Sequence, residues 1–131
     1  MKSHDWNGIE CIAILVVHCD INKTKKVEHL EQNQERYIRK YAKANNIKVV
    51  DVIHSKGLGQ YEVNRFFNKA VEIIRSGKAQ GIIAVNMLSI ASNLEDVYLK
   101  VGKVRSAGGE MFTVDEGRLK LNIQRRNQHG K

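Results

Sequence analysis

Residues 9–17 read IECIAILVV, a nearly continuous apolar run with one charged side chain, Glu10. A strand with one solvated face alternates apolar and polar residues, whereas a strand covered on both faces does not need to alternate. The run is therefore typical of a central strand in a parallel sheet. Such a strand needs helices on both faces of the sheet, and this requirement governs how the rest of the chain is arranged.

The remaining chain alternates between amphipathic and apolar segments. Helices are predicted at 27–44, at 61–76 and from a capping box at 92–95 to Gly108, and further strands at 47–53, 81–85, 110–114 and 118–124. Gly77 is the expected left-handed residue after the second helix. This order predicts an α/β fold with a doubly wound, mostly parallel sheet of four to five strands and helices on both faces. Right-handed connections give the strand order 2-1-3-4, and 118–124 could add a fifth strand at the edge.

The inner faces of the predicted helices follow from the three- and four-residue spacing of their apolar positions. The first helix carries Val27, Leu30, Gln34, Tyr37, Tyr41 and Ala44, the second carries Val63, Phe66, Phe67, Ala70, Ile73 and Ile74, and the third carries Leu94, Val97, Val101 and Val104. Gln34 is the polar member of these stripes. The pattern therefore predicts an amide side chain that points toward the interior.

The length of 131 residues predicts one domain, with an N-terminal extension over 1–8 and a basic edge strand and tail over 118–131. No apolar run reaches the roughly 20 residues that cross a bilayer, and the N-terminus lacks the apolar core of a signal peptide. Cys11 and Cys19, if both lie on one strand, are about 26 Å apart, which is too far for a disulfide. These features predict a cytoplasmic protein without membrane contact.

The formal net charge of +8 favours an anionic partner, with nucleic acid before a membrane surface. The alternative is a soluble protein that is simply basic. The predicted phosphate contacts are Lys23, Lys25, Lys26, Arg118, Lys120, Arg125 and Arg126, and further cations on the outer face of the first helix are Arg36, Arg39, Lys40 and Lys43. The sequence does not predict an aromatic platform for single strands among them, so DNA binding should be weak, non-specific and steeply salt-dependent.

Polar residues follow the first three predicted strands. His18, Cys19, Asp20, His54 and Asn86 would line the carboxyl edge of the sheet, where doubly wound folds bind their ligands. One alternative site at this edge is a zinc centre made by the two histidines, the cysteine and the aspartate, although strand alternation would separate His18 from Cys19. The simpler interpretation is a buried free thiol beside surface histidines. We therefore expect no metal and no cofactor.

A second alternative treats Cys19 as the start of a phosphate loop. A cysteine after the first strand, with Lys25 six residues later, is similar to the phosphate loop of small tyrosine phosphatases. That loop has an arginine where Lys25 stands, and glycines that let backbone amides curl around an anion. Neither feature is present here.

Two stretches, QERYIRKYAKANNIKVVDVI at 34–53 and FFNKAVEIIRSGKAQGIIAV at 66–85, are followed by the segment 77–117, which overlaps the second stretch and continues it without an obvious gap. Together they resemble the catalytic domain of the serine recombinases, the resolvase and invertase group, over about residues 9–117. Gln34 stands where that family has a glutamine seven residues before a Tyr-Ala pair, here Tyr41-Ala42. The resemblance implies a resolvase-like fold, DNA recombination through a serine that attacks a DNA phosphodiester, arginines that stabilise the transition state, and assembly through this domain.

The positions that match the family's active site carry different residues. Leu15, Val17 and Cys19 occupy the places of Tyr-x-Arg-x-Ser, and Leu88, Ser89, Ile90, Ala91, Ser92 and Asn93 occupy those of Asp-Arg-Leu-x-Arg-Asn. A further family arginine falls at Asn64, with Arg65 one place away. Losing one preorganised donor typically costs about 10²–10³ in rate, so the loss of several predicts a domain that does not cut DNA.

Two functional hypotheses follow. The first is a catalytically inactive, recombinase-like module that associates with DNA, or that pairs with itself or with an intact recombinase. The alternative is an enzyme that cleaves DNA or transfers a phosphoryl group, with Cys19 as nucleophile, Gln34 as orienting group and Arg65 as a displaced phosphate ligand.

Overall fold

The computed structural model describes residues 8–16, 24–55 and 59–119. Its elements are β1 (Ile9–Leu15), α1 (Thr24–Ala44), β2 (Ile47–His54), α2 (Gln60–Arg75), β3 (Gly81–Ala84), a 3-10 turn (Met87–Ser89), α3 (Leu94–Ser106), β4 (Glu110–Thr113) and β5 (Gly117–Leu119). These strands form one sheet in the order β2-β1-β3-β4-β5, parallel except between β4 and β5. The predicted doubly wound α/β fold and its strand order are confirmed. The predicted continuation of the fifth strand beyond Leu119 lies outside the described residues.

The central strand β1 is covered on both faces, as its apolar run predicts. Its even-numbered residues pack with α2 and α3, and its odd-numbered residues pack with α1. The residues concerned are Cys11, Ile12, Ala13, Ile14, Leu15 and Val16, each at most 2% exposed. Successive side chains still point to opposite faces of the sheet. Because both faces are covered by apolar layers, neither set of positions needs to be polar.

The buried face of α1 differs from the predicted stripe. Ile38 and Ala42 are buried together with the carboxylate of Glu31, whereas Tyr37 and Ala44 are exposed. The prediction for Tyr37 and Ala44 is wrong because the helix buries a narrow strip against β1 and β2. Glu31 can lie in this strip because its carboxylate has polar partners at the end of β2.

The start of α3 also differs from its prediction. Asn93, and not Ser92, is the N-cap, since its side-chain oxygen accepts the Asp96 N–H at 2.8 Å. Leu94 is 68% exposed, so its predicted inner position is wrong. Lys100 is buried instead, and its ammonium donates to Asp96 at 2.6 Å. An ion pair between positions i and i+4 thus allows a lysine to occupy the inner face.

The ends of α2 and α3 follow the glycine signals in the sequence. Gly77 follows α2 with φ of +87° and Gly108 follows α3 with φ of +92°. Both lie in the left-handed region, where a side chain would be strained, and the predicted role of Gly77 is confirmed. Within the described part of the chain, no helix is long and apolar enough to cross a membrane.

Cys11 is a core thiol, fully buried in the layer that packs on α1. Burial, with a smaller contribution from the negative charge of Glu110, raises the pKa of its thiol to about 12. Because the thiolate is the reactive species, Cys11 is chemically inert in the folded protein.

This inertness gives a labelling prediction. In a Cys19→Ser variant, Cys11 is the only thiol, because the chain has two cysteines. At neutral pH its alkylation by iodoacetamide should be at least about a hundredfold slower in native protein than in denaturant, measured by intact mass. Equal rates in the two conditions would contradict the buried assignment.

Candidate functional site

A cleft of about 620 Å³ lies at the carboxyl ends of β1 and β3, beside α1. Its lining residues are Val16, Leu30, Asn33, Gln34, Tyr37, Val85, Asn86, Leu88 and Ser89. The chain passes from β1 to β2 on one side and then returns to β3 on the other, so the winding of the sheet reverses between β1 and β3. A crevice at such a switch point is the usual ligand site of an open α/β sheet.

Gln34 fixes the point at which the chain leaves β1. Its Oε1 accepts the Val16 N–H at 3.0 Å, and its Nε2 donates to the Val16 carbonyl at 2.6 Å. Val16 is 2% exposed, and among the described residues it has no ladder partner on a neighbouring strand. The amide therefore replaces two sheet hydrogen bonds and holds the strand end against α1. The predicted inward-pointing amide is present, and it acts on the backbone.

Asn86 organises the opposite wall of the cleft. Its Oδ1 accepts the Ser89 N–H at 2.8 Å, and its Nδ2 donates to Asp115 at 3.0 Å. Ser89 Oγ in turn donates to the Asn86 carbonyl at 2.7 Å. Asn86 thus caps the 3-10 turn and ties it to the turn after β4. Its predicted position at the carboxyl edge is confirmed.

His54 lies at the end of β2, on the same edge of the sheet. Its Nδ1 is 3.1 Å from Oε1 of Glu31, and Ser55 Oγ donates to the other carboxylate oxygen at 3.5 Å. The Glu31 side chain is buried, whereas the His54 ring is 42% exposed. The sequence predicted the position of His54 but not its partner.

No charged side chain lines the described part of the cleft. Arg65, the predicted displaced phosphate ligand, is paired with Glu62 at 2.9 Å, and its side chain is 62% exposed. The structure does not bring Arg65 into the cleft lining. Asn64 accepts a hydrogen bond from Gln60 at 2.9 Å, and Gln60 also donates to the Ile90 carbonyl at 3.1 Å. The position that matches a family arginine therefore holds a neutral side chain engaged with its neighbour.

The segment 88–93 supplies no cation to the cleft. Leu88 is 66% exposed at the rim, and Ile90 is fully buried in the core. Ser92 donates its backbone N–H to Asp96 at 2.9 Å, which anchors the segment to the first turn of α3. The loop is thus shaped by packing and backbone hydrogen bonds.

Several predicted site residues lie outside the described residues. They are Val17, His18, Cys19, Asp20, Lys23, Lys120, Arg125 and Arg126, and the side chains of Lys25 and Lys26. The nucleophile position, the phosphate loop and the zinc alternative therefore stay predictions. Among the residues that are described, no group of three His, Cys, Asp or Glu side chains is placed to hold a metal ion.

Arg118 is the predicted phosphate contact whose side chain is described. Its guanidinium lies 2.8 Å from Glu110, which also pairs with Arg105 at 3.0 Å. The hydrogen bond from Arg118 and the negative charge of Glu110 raise the pKa of Arg118 above its ordinary value. A guanidinium paired in this way is a weaker candidate for a phosphate contact than an unpaired one.

Sequence reasoning missed Asn33 and Tyr37 as cleft residues. Both lie on α1, one residue before and three residues after Gln34. Residues three or four apart share a helix face, so the inward-pointing Gln34 could have indicated Leu30 and Tyr37 as its neighbours. Glu31 gave no such signal, because its partner His54 is distant in the sequence.

No family model matches the chain, and no curated protein sequence matches it. Solved structures do match it. A resolvase family site-specific recombinase from Streptococcus pneumoniae has a TM-score of 0.70 and 18% identity, over 93% of this chain and 84% of that one. The N-terminal catalytic domain of TP901-1 integrase has a TM-score of 0.63 and 12% identity, over 92% and 88%.

A third match is the C-terminal catalytic domain of ISC1926 TnpA, an IS607-like serine recombinase. Its TM-score is 0.59 at 17% identity, over 93% of this chain and 78% of that one. All three structures carry the same arrangement of strands and helices over most of their length. At these identities the similarity establishes the fold.

Proposed function

From the serine recombinase catalytic-domain fold that this chain shares, we propose that the protein is a recombinase-like module that associates with DNA without cutting it. The observation that carries the proposal is the absence of a phosphate-binding group from the described cleft lining. The lining residues that the structure describes at the switch point of the sheet are apolar or neutral and polar.

Phosphodiester cleavage places extra negative charge on the transferring phosphoryl group, and enzymes stabilise that charge with arginines, lysines or metal ions. The positions that match family arginines hold Asn64, Ser89 and Ser92, and Val17 is a further one in the sequence. Arg65 is engaged with Glu62. Because each lost donor costs about 10²–10³ in rate, the remaining groups would leave negligible cleavage even if the losses are far from additive.

The amide side chains of the described cleft lining are already engaged in hydrogen bonds. Gln34 is bound to Val16 through both ends of its amide, and Asn86 is bound to Ser89 and Asp115. A phosphate entering the cleft would have to displace these hydrogen bonds without gaining a cation from the described lining residues. This cost supports phosphate contacts that lie outside the cleft and are driven by the net charge of +8.

The competing function is an enzyme that uses Cys19 as the nucleophile. Cysteine in place of serine does not by itself abolish attack on phosphorus, because a thiolate is strongly nucleophilic. The alternative requires a cation near Cys19, and His18 and Lys23 are the nearest in sequence. The family resemblance also suggests pairing with a second copy or with an intact recombinase, which remains part of this proposal.

A nicking assay on supercoiled plasmid tests the proposal. Wild-type protein, incubated with and without Mg²⁺, should leave the plasmid supercoiled, while an active serine recombinase run in parallel produces open circles. Gel-shift of the same plasmid at low salt should show retardation that disappears at moderate salt. Nicked product that depends on Cys19, shown by its loss in a Cys19→Ala variant, would overturn the proposal in favour of the enzyme.

A further inference from the structure

Five cations and no carboxylate lie between Glu35 and Asp51 in the sequence. Three of them, Arg36, Lys40 and Lys43, follow one another at spacings of four and three residues on the exposed side of α1. They form a stripe about 10 Å long at 1.5 Å per residue, called here the α1 stripe.

No carboxylate among the described residues neutralises the cations of the α1 stripe. In the described part of the chain, Arg36 donates to the neutral side chain of Asn33 at 3.0 Å, and Lys40 and Lys43 take part in no ion pair. The other described arginines, Arg39, Arg65, Arg75, Arg105 and Arg118, are all paired with glutamates. A phosphate can therefore approach the stripe without displacing an anion.

The α1 stripe is continuous with the cleft. Asn33 accepts the hydrogen bond from Arg36 and also lines the cleft. Tyr37 follows Arg36, lines the cleft and leaves 52% of its surface exposed. Around this ring the cleft is formed by apolar side chains such as Leu30, Val85 and Leu88. An aromatic face thus stands beside a row of unpaired cations.

We propose that α1 binds a single strand of nucleic acid, with backbone phosphates on Arg36, Lys40 and Lys43 and one unpaired base stacked on Tyr37 at the mouth of the cleft. This inference rests on the DNA association proposed above and names its site. A stacking aromatic next to a basic track is the general arrangement that binds single strands without reading their sequence. The pattern of basic residues alone did not predict this platform.

The neutral character of the described cleft lining favours a base over a phosphate as its occupant. The amide groups of Gln34 and Asn86 are engaged inside the protein, which leaves apolar contact and stacking as the main contributions. A duplex keeps its base faces stacked inside the helix, so it can offer the α1 stripe only phosphates. Only a single strand can therefore make the contact with Tyr37, and this contact should favour single-stranded over double-stranded nucleic acid.

Fluorescence anisotropy with a labelled oligothymidylate tests the inference on the full chain. A stripe variant, Arg36→Gln with Lys40→Gln and Lys43→Gln, is compared with a control variant, Lys48→Gln with Lys69→Gln and Lys78→Gln. Both remove three positive charges from exposed positions. The stripe variant should make the slope of log affinity against log salt shallower by about 2, whereas the control should change it far less.

Single substitutions at Tyr37 test the base contact. Tyr37→Ala should weaken binding of the oligothymidylate about tenfold, and Tyr37→Phe should bind as the wild type does. Neither change should alter binding of a duplex, or of an abasic oligomer of the same length. Thermal melts of all variants verify that the fold is kept.

The outcomes separate this inference from the broader proposal. Oligothymidylate binding that is weakened in the stripe variant and in Tyr37→Ala, but not in the control variant, supports the single-strand site. Oligothymidylate binding that the stripe and control variants weaken equally overturns the site but leaves DNA association standing. No binding to single or double strands overturns both. Binding only to vesicles that contain anionic lipid would overturn the site in favour of a membrane surface.

Discussion

Replacing Asp96 with alanine is expected to lower the free energy of unfolding by about 3–5 kcal/mol. Lys100 donates to the Asp96 carboxylate at 2.6 Å, and its side chain is only 5% exposed. The ammonium also lies 5.7 Å from the centre of the Phe67 ring. Without Asp96 the buried cation loses the charged partner that offsets its desolvation, and this uncompensated charge dominates the expected loss.

Chemical denaturation of matched variants measures this effect. The double substitution of Asp96→Leu with Lys100→Met removes both charges and should be within about 1 kcal/mol of wild type, or more stable. Glu62→Ala breaks the exposed Arg65 pair and should cost less than about 1 kcal/mol. If Asp96→Ala is no more damaging than Glu62→Ala, the buried pair does not stabilise α3 as described.

The Asp96–Lys100 pair also predicts how the stability of the protein changes with pH. Burial of Asp96 tends to raise its pKa, but the hydrogen bonds from Lys100 and the Ser92 N–H, and the nearby lysine charges, outweigh burial and lower the pKa below 3.8. A carboxyl whose pKa is lower in the folded state stabilises the fold fully above its unfolded pKa. That contribution is lost as the pH falls below about 4, and it should be missing from the double variant.

Replacing Gln34 with leucine is expected to destabilise the protein by about 2–4 kcal/mol. Leucine keeps the apolar volume but leaves the Val16 N–H and carbonyl without the two hydrogen bonds that the amide supplies. Val16 is 2% exposed, so water is a poor substitute. Each unpaired buried backbone group costs about 1–3 kcal/mol.

Gln32→Leu is the matched control for this change, because Gln32 is an exposed residue of the same helix. Its effect should stay within about 0.5 kcal/mol of wild type. A Gln34→Leu variant that is as stable as Gln32→Leu would mean that the amide does not hold the end of β1. Asn is too short to bridge both backbone groups, so Gln34→Asn should be intermediate.

The fold could be predicted because its main signals are local. The apolar run of β1 predicts a strand covered on both faces, and the glycines after α2 and α3 mark the ends of those helices. Helix orientation was harder to predict. The apolar spacing in α1 favoured Tyr37 on the inner face, whereas Ile38 and Ala42 are buried and Glu31 fills the remaining position. A one-residue rotation of this kind depends on partners in β2 that are distant in the sequence.

The candidate site was predictable in its place but not in its chemistry. The strand order put His54 and Asn86 at the carboxyl edge, and the spacing picked out Gln34. The sequence could not show that Gln34 binds backbone, that Arg65 is held by Glu62, or that Tyr37 faces the cleft. Each of these depends on tertiary contacts or on a competing partner within one turn of helix.

We propose that the missing phosphate-binding arginines, and not the change of nucleophile, prevent this domain from cutting DNA. Covalent capture tests that claim directly. Supercoiled DNA is incubated with wild type or Cys19→Ser, quenched with detergent and resolved on a denaturing gel, next to an active serine recombinase. We expect that neither protein forms a protein–DNA adduct. An adduct gained by Cys19→Ser would show that the site still binds a phosphodiester, and the missing arginines would then not explain the lack of cleavage.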